Sequence, residues 1–524
     1  MIEKPEHWAD QFAQAIINKR GEKEQYVCAS GITPSGTVHI GNFREIISVD
    51  LIVRALRRYG KKVRFIYSWD DYDVFRKIPK NMPNQEMLQA YLRKPIIKTP
   101  DPFGQESSYA RRNEKDVEKM LPLVGIVPEY IYQAEKYMNS DYAEGMKTAL
   151  EHKAVIIEIL NQHRQTPLDE SWWPISVFCN KCDLDTTQIK SWDGNYSIDY
   201  ACTSCGNEET LDLRKTGNVK LFWRVDWPMR WKYEGVDFEP AGKEHHSAGG
   251  SFDTAKEIVQ RVYAQDEPNT FKYDFISIKG QGGKISSSLG NVLSLEDVLQ
   301  IYQPQIVRYL FAGTRPNTEF AISFDLDVIK IYEDYDRCER FYYGAEEISD
   351  KKKAKEARNY ELSQIDVPAE KMPYQMAFRH LCNLLQINDG NIEGVLEGLE
   401  LSDIDKKYVT QRAACAWNWI ENYAPEDFKF RLRAVDAPES DLNSKEREAL
   451  QSLAHFLDQS FKQLDEKALG EKIYEIAQSI ELDPKEFFRV CYEVLIGKEK
   501  GPRLAGFILT IGQNKIMSIL GKYL

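Results

Sequence analysis

No stretch of this 524-residue chain approaches the run of roughly 20 uncharged apolar residues that crosses a bilayer. The opening segment, MIEKPEHWADQFAQAIINKR, lacks the apolar core of a secretory signal and instead repeats Trp8, Phe12 and Ile16 at helical spacing. Internal repeats and low-complexity tracts are missing as well. Cysteine is sparse: there are nine, and Cys28, Cys338, Cys382, Cys415 and Cys491 stand alone, which argues against a secreted disulfide framework. Positive charge is in deficit, 69 Lys and Arg against 81 Asp and Glu, for a formal net charge of −12. That balance excludes a non-specific DNA coater and leaves nucleic acid only a locally basic patch. One such stretch holds Lys498, Lys500, Arg503, Lys515 and Lys522 against Glu499 alone, and a solvated edge is an equal reading of it. The absences together predict a cytoplasmic protein without a membrane segment.

What is present is a core-forming composition, 42% apolar and 29% charged, long enough for about three or four folded units. Residues Gln25 to Ser30 (QYVCAS) read as a buried strand, followed by the loop GITPSGTVHIGN, a helical pattern from about Phe43 to Tyr59, and a second strand, VRFIYSW. This βαβ unit puts the first loop at the carboxyl edge of a parallel sheet, where open α/β folds bind ligands. From about residue 99 to 215 the pattern breaks into polar helices and short strand-like pieces, which read as an insertion. Strand character resumes in VKLFWRVDWPMRW, passes a helix near Thr254 to Tyr263, and ends in FISIKG before the loop QGGKISSSLGN. Beyond Arg315, prolines at 368, 425, 438, 484 and 502 punctuate helical segments.

Three motifs carry chemistry. His39, Gly41 and Asn42 open a helix after a strand and a Gly turn, where unpaired N–H groups and the helix dipole attract phosphate; a plain helix cap is an equal reading. Lys284-Ile285-Ser286-Ser287-Ser288 follows Gly282 and Gly283 and can fold over a triphosphate, one ammonium meeting the charge of a leaving pyrophosphate. Cys179, Cys182, Cys202 and Cys205 are spaced C-x2-C-x19-C-x2-C, which in a reducing compartment reads as a tetrahedral structural zinc site.

With both nucleotide loops in place, the chain resembles the class I aminoacyl-tRNA synthetases: His39-Ile40-Gly41-Asn42 matches the HIGH signature and Lys284 to Ser288 matches KMSKS. SGITPSGTVHIGN, FIYSWDDYD, WRVDWPMRW, AGKEHHSAGGS and GGKISSSLGN bring it closest to the class I lysyl-tRNA synthetases, over essentially the whole length. Asn42 stands where the first signature ends in His, and Ser287 replaces the second Lys of the other. The resemblance implies an α/β fold: a Rossmann-type parallel-sheet catalytic domain over 1–315, whose insertion at about 99–215 bears a zinc ribbon at 177–207. A connecting region over 316–370 and an all-α anticodon-binding domain over 371–524 follow.

It also implies ligation of L-lysine to tRNA(Lys) through a lysyl-adenylate, with ATP as substrate, magnesium at the pyrophosphate, structural zinc, and amino-acid activation that depends on tRNA. His39, Asn42, Lys284 and Ser288 would be catalytic. Pro34, Ser35, Gly36, His39, Gly41, Asn42, Lys284, Ser286, Ser287 and Ser288 would surround ATP. Gly31, Thr33, Asp70, Trp227, His245 and Tyr273 would line the lysine pocket. Asp71 and Asp73 compete with Asp70 for the ammonium, Trp223 competes with Trp227 for the aliphatic stem, and His246 reads as a bystander. Arg111 and Arg112 are candidates for acceptor-stem phosphates, and Trp417, Trp419, Phe428 and Arg431 for anticodon contacts, although packing roles are the commoner fate of such residues. The competing readings are a glutamyl- or glutaminyl-type enzyme, which would call for Arg in the pocket where WDDYD offers acid, a small nucleotidyltransferase, and an inactive tRNA-binding paralogue.

Overall fold

The computed structural model describes residues 5–280 and 293–523. They fall into two compact units, within Met1–Leu299, Pro304–Ile322 and Phe341–Pro368 for the first and Gln300–Gln303, Ser323–Arg340 and Ala369–Leu524 for the second.

In the first unit, helix α1 (Trp8–Arg20) precedes β1 (Tyr26–Ile32), a strand buried from Tyr26 to Ser30, as a strand covered on both faces must be. Helix α2 (Ile40–Arg58) carries the chain to β2 (Val63–Trp69), which pairs in parallel with β1 from Tyr26 opposite Val63 to Ile32 opposite Trp69. After α3 (Tyr109–Met120), β3 (Glu129–Tyr132) pairs in parallel with β2. Residues 129–132 are therefore part of the main sheet, inside the span that reads as an insertion. Four residues, EYIY, are too few for strand alternation to stand out between helices.

Strand β4 (Ile175–Val177) pairs antiparallel with β8 (Val219–Leu221), and between them β5 (Thr187–Trp192), β6 (Ser197–Cys202) and β7 (Glu208–Asp212) form an antiparallel sheet. Only Val219–Leu221 of the segment read as a strand is extended, and Trp223–Glu234 is helix α4. Its indoles recur every four residues, at 223, 227 and 231, along one face of the helix, Trp223 stacked on Trp227 at 5.2 Å and Trp231 tilted against Trp227 at 4.8 Å. Phe238 bridges in parallel to Cys28 on one side and Asn269 on the other. The chain then enters β9 (Ala241–Gly242), crosses by α5 (Ser251–Arg261) and returns in β10 (Lys272–Tyr273), parallel to β9. The layer thus runs β3, β2, β1, β9, β10, and β11 (Ile276–Ile278) pairs in parallel with β12 (Phe320–Ile322) beyond it.

The second unit is helical. Ser444–Ser460, Glu466–Ser479, Pro484–Ile496, Leu504–Ile511 and Gln513–Leu520 bury Leu453, Leu457, Ile473, Phe487, Val490 and Phe507 in one core. Asn443 and Glu446 form a capping box, Pro484 opens its helix at the first position, and Gly497 closes it at φ +66°. Trp419 is fully buried, donates to the carbonyl of Phe324 at 2.9 Å and meets the half-buried Phe428 edge-on. Trp417 covers Gly390, and Arg431 is exposed beside Asp389. Lys498 and Lys522 donate to backbone carbonyls and Lys515 to Asn388. Among the described residues no single helix is long and apolar enough to cross a membrane.

Arg44, 2% exposed on α2, binds the sheet's far edge by donating to the carbonyls of Phe275, Arg315, Pro316 and Thr318. Arg44→Ala removes all four bonds, although the carbonyls of Arg315 and Pro316 keep the backbone N–H groups of Thr318 and Asp274, and is expected to cost about 3 kcal/mol, read as a lowered urea midpoint. An unchanged midpoint would mean that water replaces the guanidinium.

Candidate active site

The carboxyl ends of β1, β2 and β9 open into a cleft of about 730 Å³, lined by Gly31, Thr33, His39, Gly41, Asn42, Glu45, Asp70, Asp73, Lys220, Trp223, His245 and Tyr273, among others. A second cavity of about 70 Å³ adjoins it and shares Gly31, Glu45, Asp70, Trp223 and His245. The close approach of β1 to β2 makes the floor: a Cβ on Gly31 would lie 2.8 Å from the carbonyl oxygen of Ser68.

At the head of α2, His39 and Asn42 form a capping box. Nδ1 of His39 accepts the N–H of Gly41 at 3.1 Å, and Oδ1 of Asn42 accepts the N–H of His39 at 3.2 Å. Because Nδ1 accepts, the neutral ring carries its proton on Nε2, a donor. The two residues read from the sequence as phosphate contacts thus also build the helix start. Pro34, Ser35 and Gly36 stand outside the cleft lining. Asn113 and Tyr109 of α3 donate to the carbonyls of Pro34 and Ser35, and Ser35 lines a side cavity of about 320 Å³ with Arg76 and Lys77. Lys284, Ser286, Ser287 and Ser288 lie outside the described residues.

The acidic residues of WDDYD part company. Asp71 is buried away from the cleft and accepts the N–H of Ala134 at 2.8 Å. Asp73 lies 2.5 Å from the Lys220 ammonium and accepts the hydroxyl of Thr33; against the burial that would raise it, Lys220 holds its carboxyl below the usual range. Asp70 does line both cavities, but it lies 2.6 Å from Arg230, which also reaches Asp226 at 3.4 Å, so it is no unneutralised carboxylate.

The sequence missed two other carboxylates. Glu45, one turn into α2, accepts from Ser30 Oγ at 2.8 Å, from the N–H of Gly31 at 3.3 Å and from the hydroxyl of Tyr273 at 2.5 Å, while burial raises its pKa. Glu239 accepts from the indole N–H groups of Trp227 at 3.1 Å and Trp231 at 2.6 Å. Glu45 is hidden in a helical pattern; the i, i+4 tryptophans, each with an N–H to satisfy, were the available signal for Glu239. Trp227 lines only the smaller cavity, and Trp223, 36% exposed, faces both. Nδ1 of His245 is 2.5 Å from Ser251 Oγ. His246 packs on Phe252 and does not line either cavity.

Away from the cleft, the sulfurs of Cys179, Cys182, Cys202 and Cys205 all lie within 4.8 Å of one another, with 3.6 Å from Cys179 to Cys205 and 3.7 Å from Cys182 to Cys202. A tetrahedral zinc with bonds of about 2.3 Å sets sulfur edges of about 3.8 Å, so the donor set fits that ion. Gly206, at φ +69°, closes the second turn, its N–H bonded to the carbonyl of Cys202. Arg111 is paired with Glu114 and lies over the ring of Tyr132, and Arg112 is paired with Asp116 over Phe103.

Comparison with known proteins adds a family. Residues 6–366 match the model of the tRNA synthetases class I (K). The chain is 55% identical to the lysine–tRNA ligase of Borrelia garinii subsp. bavariensis over 99% of this chain and 100% of that one. It is 52% identical to that of Treponema pallidum over the full length of both, and 41% identical to that of Pyrococcus horikoshii over 98% of this chain and 99% of the relative.

Gly31→Ala would push β1 from β2 at the cleft floor. Overpacking of this kind costs about 1–3 kcal/mol, and chemical denaturation is expected to show it; wild-type stability would mean that the strands part there without strain.

Proposed function

The chain belongs to the class I (K) tRNA synthetases, and from that membership we propose that it joins L-lysine to tRNA(Lys) using ATP, through a lysyl-adenylate. The observation that carries the choice of amino acid is the charge left over in the cleft. Lys220 and Arg230 neutralise Asp73 and Asp70, whereas Glu45 is held by hydroxyl and amide donors that offset none of its charge. A substrate ammonium supplies the missing cation. Glutamate would bring a second anion to the same wall, which argues against a glutamyl-type enzyme.

In the first step an oxygen of the lysine carboxylate attacks the α-phosphorus of ATP, the bond to the β-phosphate bridging oxygen breaks, and pyrophosphate leaves. Positioning and charge stabilisation dominate such a transfer. His39 Nε2–H and the amide hydrogens of Asn42 are the donors at the α-phosphate and ribose, Gly41 lets the ligand approach the backbone, and Pro34, Ser35 and Gly36 form the loop at its side. Lys284, Ser286, Ser287 and Ser288 hold the triphosphate. Magnesium, when bound, screens the pyrophosphate charge. Gly31, Thr33, His245 and Tyr273 line the amino acid, Asp70 acts through Arg230, and Trp223 over Trp227 offers the lysine stem an aromatic face. In the second step a terminal ribose hydroxyl of the tRNA attacks the adenylate carbonyl carbon and AMP leaves.

Residues 371–524 are proposed to read the anticodon, activation is proposed to require tRNA, and the protein is proposed to work in the cytoplasm. Cys179, Cys182, Cys202 and Cys205 would hold one structural zinc, whose four protein ligands leave no position for substrate.

Lysine-dependent ATP–pyrophosphate exchange, run with and without total tRNA and with glutamate and arginine as controls, tests the reading. Exchange with lysine alone, appearing when tRNA is added, is expected; no exchange with any amino acid from a folded sample would overturn it. Metal analysis should find one zinc per chain, lost in Cys202→Ser together with thermal stability. A stable, zinc-free wild-type protein would remove the ribbon's metal.

A further inference from the structure

The 70 Å³ cavity behind the cleft has room for an ammonium and a companion water, but not for the body of an amino acid. Its walls are charged. Glu45 comes from α2, Asp70 from the end of β2, Arg230 and Glu234 from α4, Glu239 from the segment entering β9, and His245 from the loop after it. Arg230 is engaged by Asp70 and Asp226, and Glu234 lies 2.7 Å from Arg64, so among the described residues Glu45 and Glu239 are the wall carboxylates with no cation in ion-pair contact.

Glu239 is placed as a pocket group and is more than a tie for two indoles. Each of its oxygens accepts one indole N–H and keeps a lone pair for another donor. The two indoles fix both oxygens at the cavity wall, one each, and being neutral donors offset none of the carboxylate's charge. Burial first, and then repulsion from Glu45, push its carboxyl up to about 7. A cation arriving between the two carboxylates removes both penalties.

We propose that Glu239 is a specificity-determining residue of this site, the second carboxylate, with Glu45, for the side-chain ammonium of lysine at the inner end of the small cavity. The proposal rests on the lysine reading above and names the group that sets its side-chain selectivity. Its consequence is proton release: the carboxyl proton of Glu239 passes to solvent as the ammonium takes its place, and no covalent bond changes. Lysine affinity should therefore rise with pH through neutrality, since the protonated form that prevails at lower pH offers no counter-charge. Any protonation of His245 at low pH would repel the ammonium too, so substitution of Glu239 itself must separate the two.

The test uses the full chain with tRNA present and compares wild type with Glu239→Gln. KM for lysine is expected to rise about tenfold or more, in line with the loss of a hydrogen bond to a charged group, with kcat and the KM for ATP changed less than about twofold by the same reasoning. Discrimination against norleucine, which ends in a methyl group, should narrow. Calorimetry of lysine binding in phosphate and in Tris near pH 7 should show proton release by wild type and none by the variant. Glu239→Asp, which keeps the charge, should retain the pH dependence and covers the case in which the Gln variant does not fold. A folded Glu239→Gln protein with wild-type KM for lysine and wild-type proton release overturns the proposal. Wild type that binds no lysine under any condition overturns the functional reading itself.

Discussion

Buried between Asp70 and Asp226, the guanidinium of Arg230 lies 2.6 Å from one carboxylate and 3.4 Å from the other, and the charge pattern of the cleft follows from that placement. A buried cation shared by two acids offsets one of their two charges and holds Asp70 in an ion pair, while Lys220 is paired with Asp73. Counted by residue, the cleft is acidic on several walls. Counted by charge left over, it is acidic along the one side where Glu45 and Glu239 meet neutral donors. That contrast is invisible to any reading that treats each carboxylate singly, and it is why the proposed site of cation recognition lies at α2 and the β9 approach and not at the β2 end.

The β1–α2–β2 unit, the ligand edge of the sheet, the cysteine ribbon and the helical character of the last third are all legible in the residues, because each rests on local spacing. The helix over Trp223–Glu234 is not read correctly, since Val219–Leu221 and the aromatic run after it suggest one strand, and only the four-residue recurrence of tryptophan betrays the turn. Gly31, Thr33, His39, Asn42, Asp70, His245 and Tyr273 do come together around one cleft. What spacing cannot supply is partnership across the fold. Arg230 and Asp70 are 160 residues apart, and Lys220 and Asp73 are 147 apart. Trp419 shows the converse, an aromatic that could stack on a base but is fully buried in its own unit.

The ribbon illustrates how a small sheet stays ordered. Its three strands cannot bury much apolar area by themselves, and four sulfurs within 4.8 Å of one another are placed so that one metal ion would cross-link them. Its stalk, β4 against β8, leads straight into α4, so the segment that carries Arg230 and the tryptophans begins where the ribbon ends.

The capping box at the head of α2 bears on how the first signature can drift. A residue at position 42 is screened twice, once by whatever ligand lies before it and once by the backbone N–H of His39, which requires an acceptor on a short arm. Replacements that keep such an acceptor preserve the start of the helix even when they alter the ligand contact, and those that lack it undo both at once. Variation at the fourth letter of this motif is then a record of helix initiation as much as of nucleotide chemistry, and a departure from the consensus there is poor grounds for declaring a copy of the fold inert.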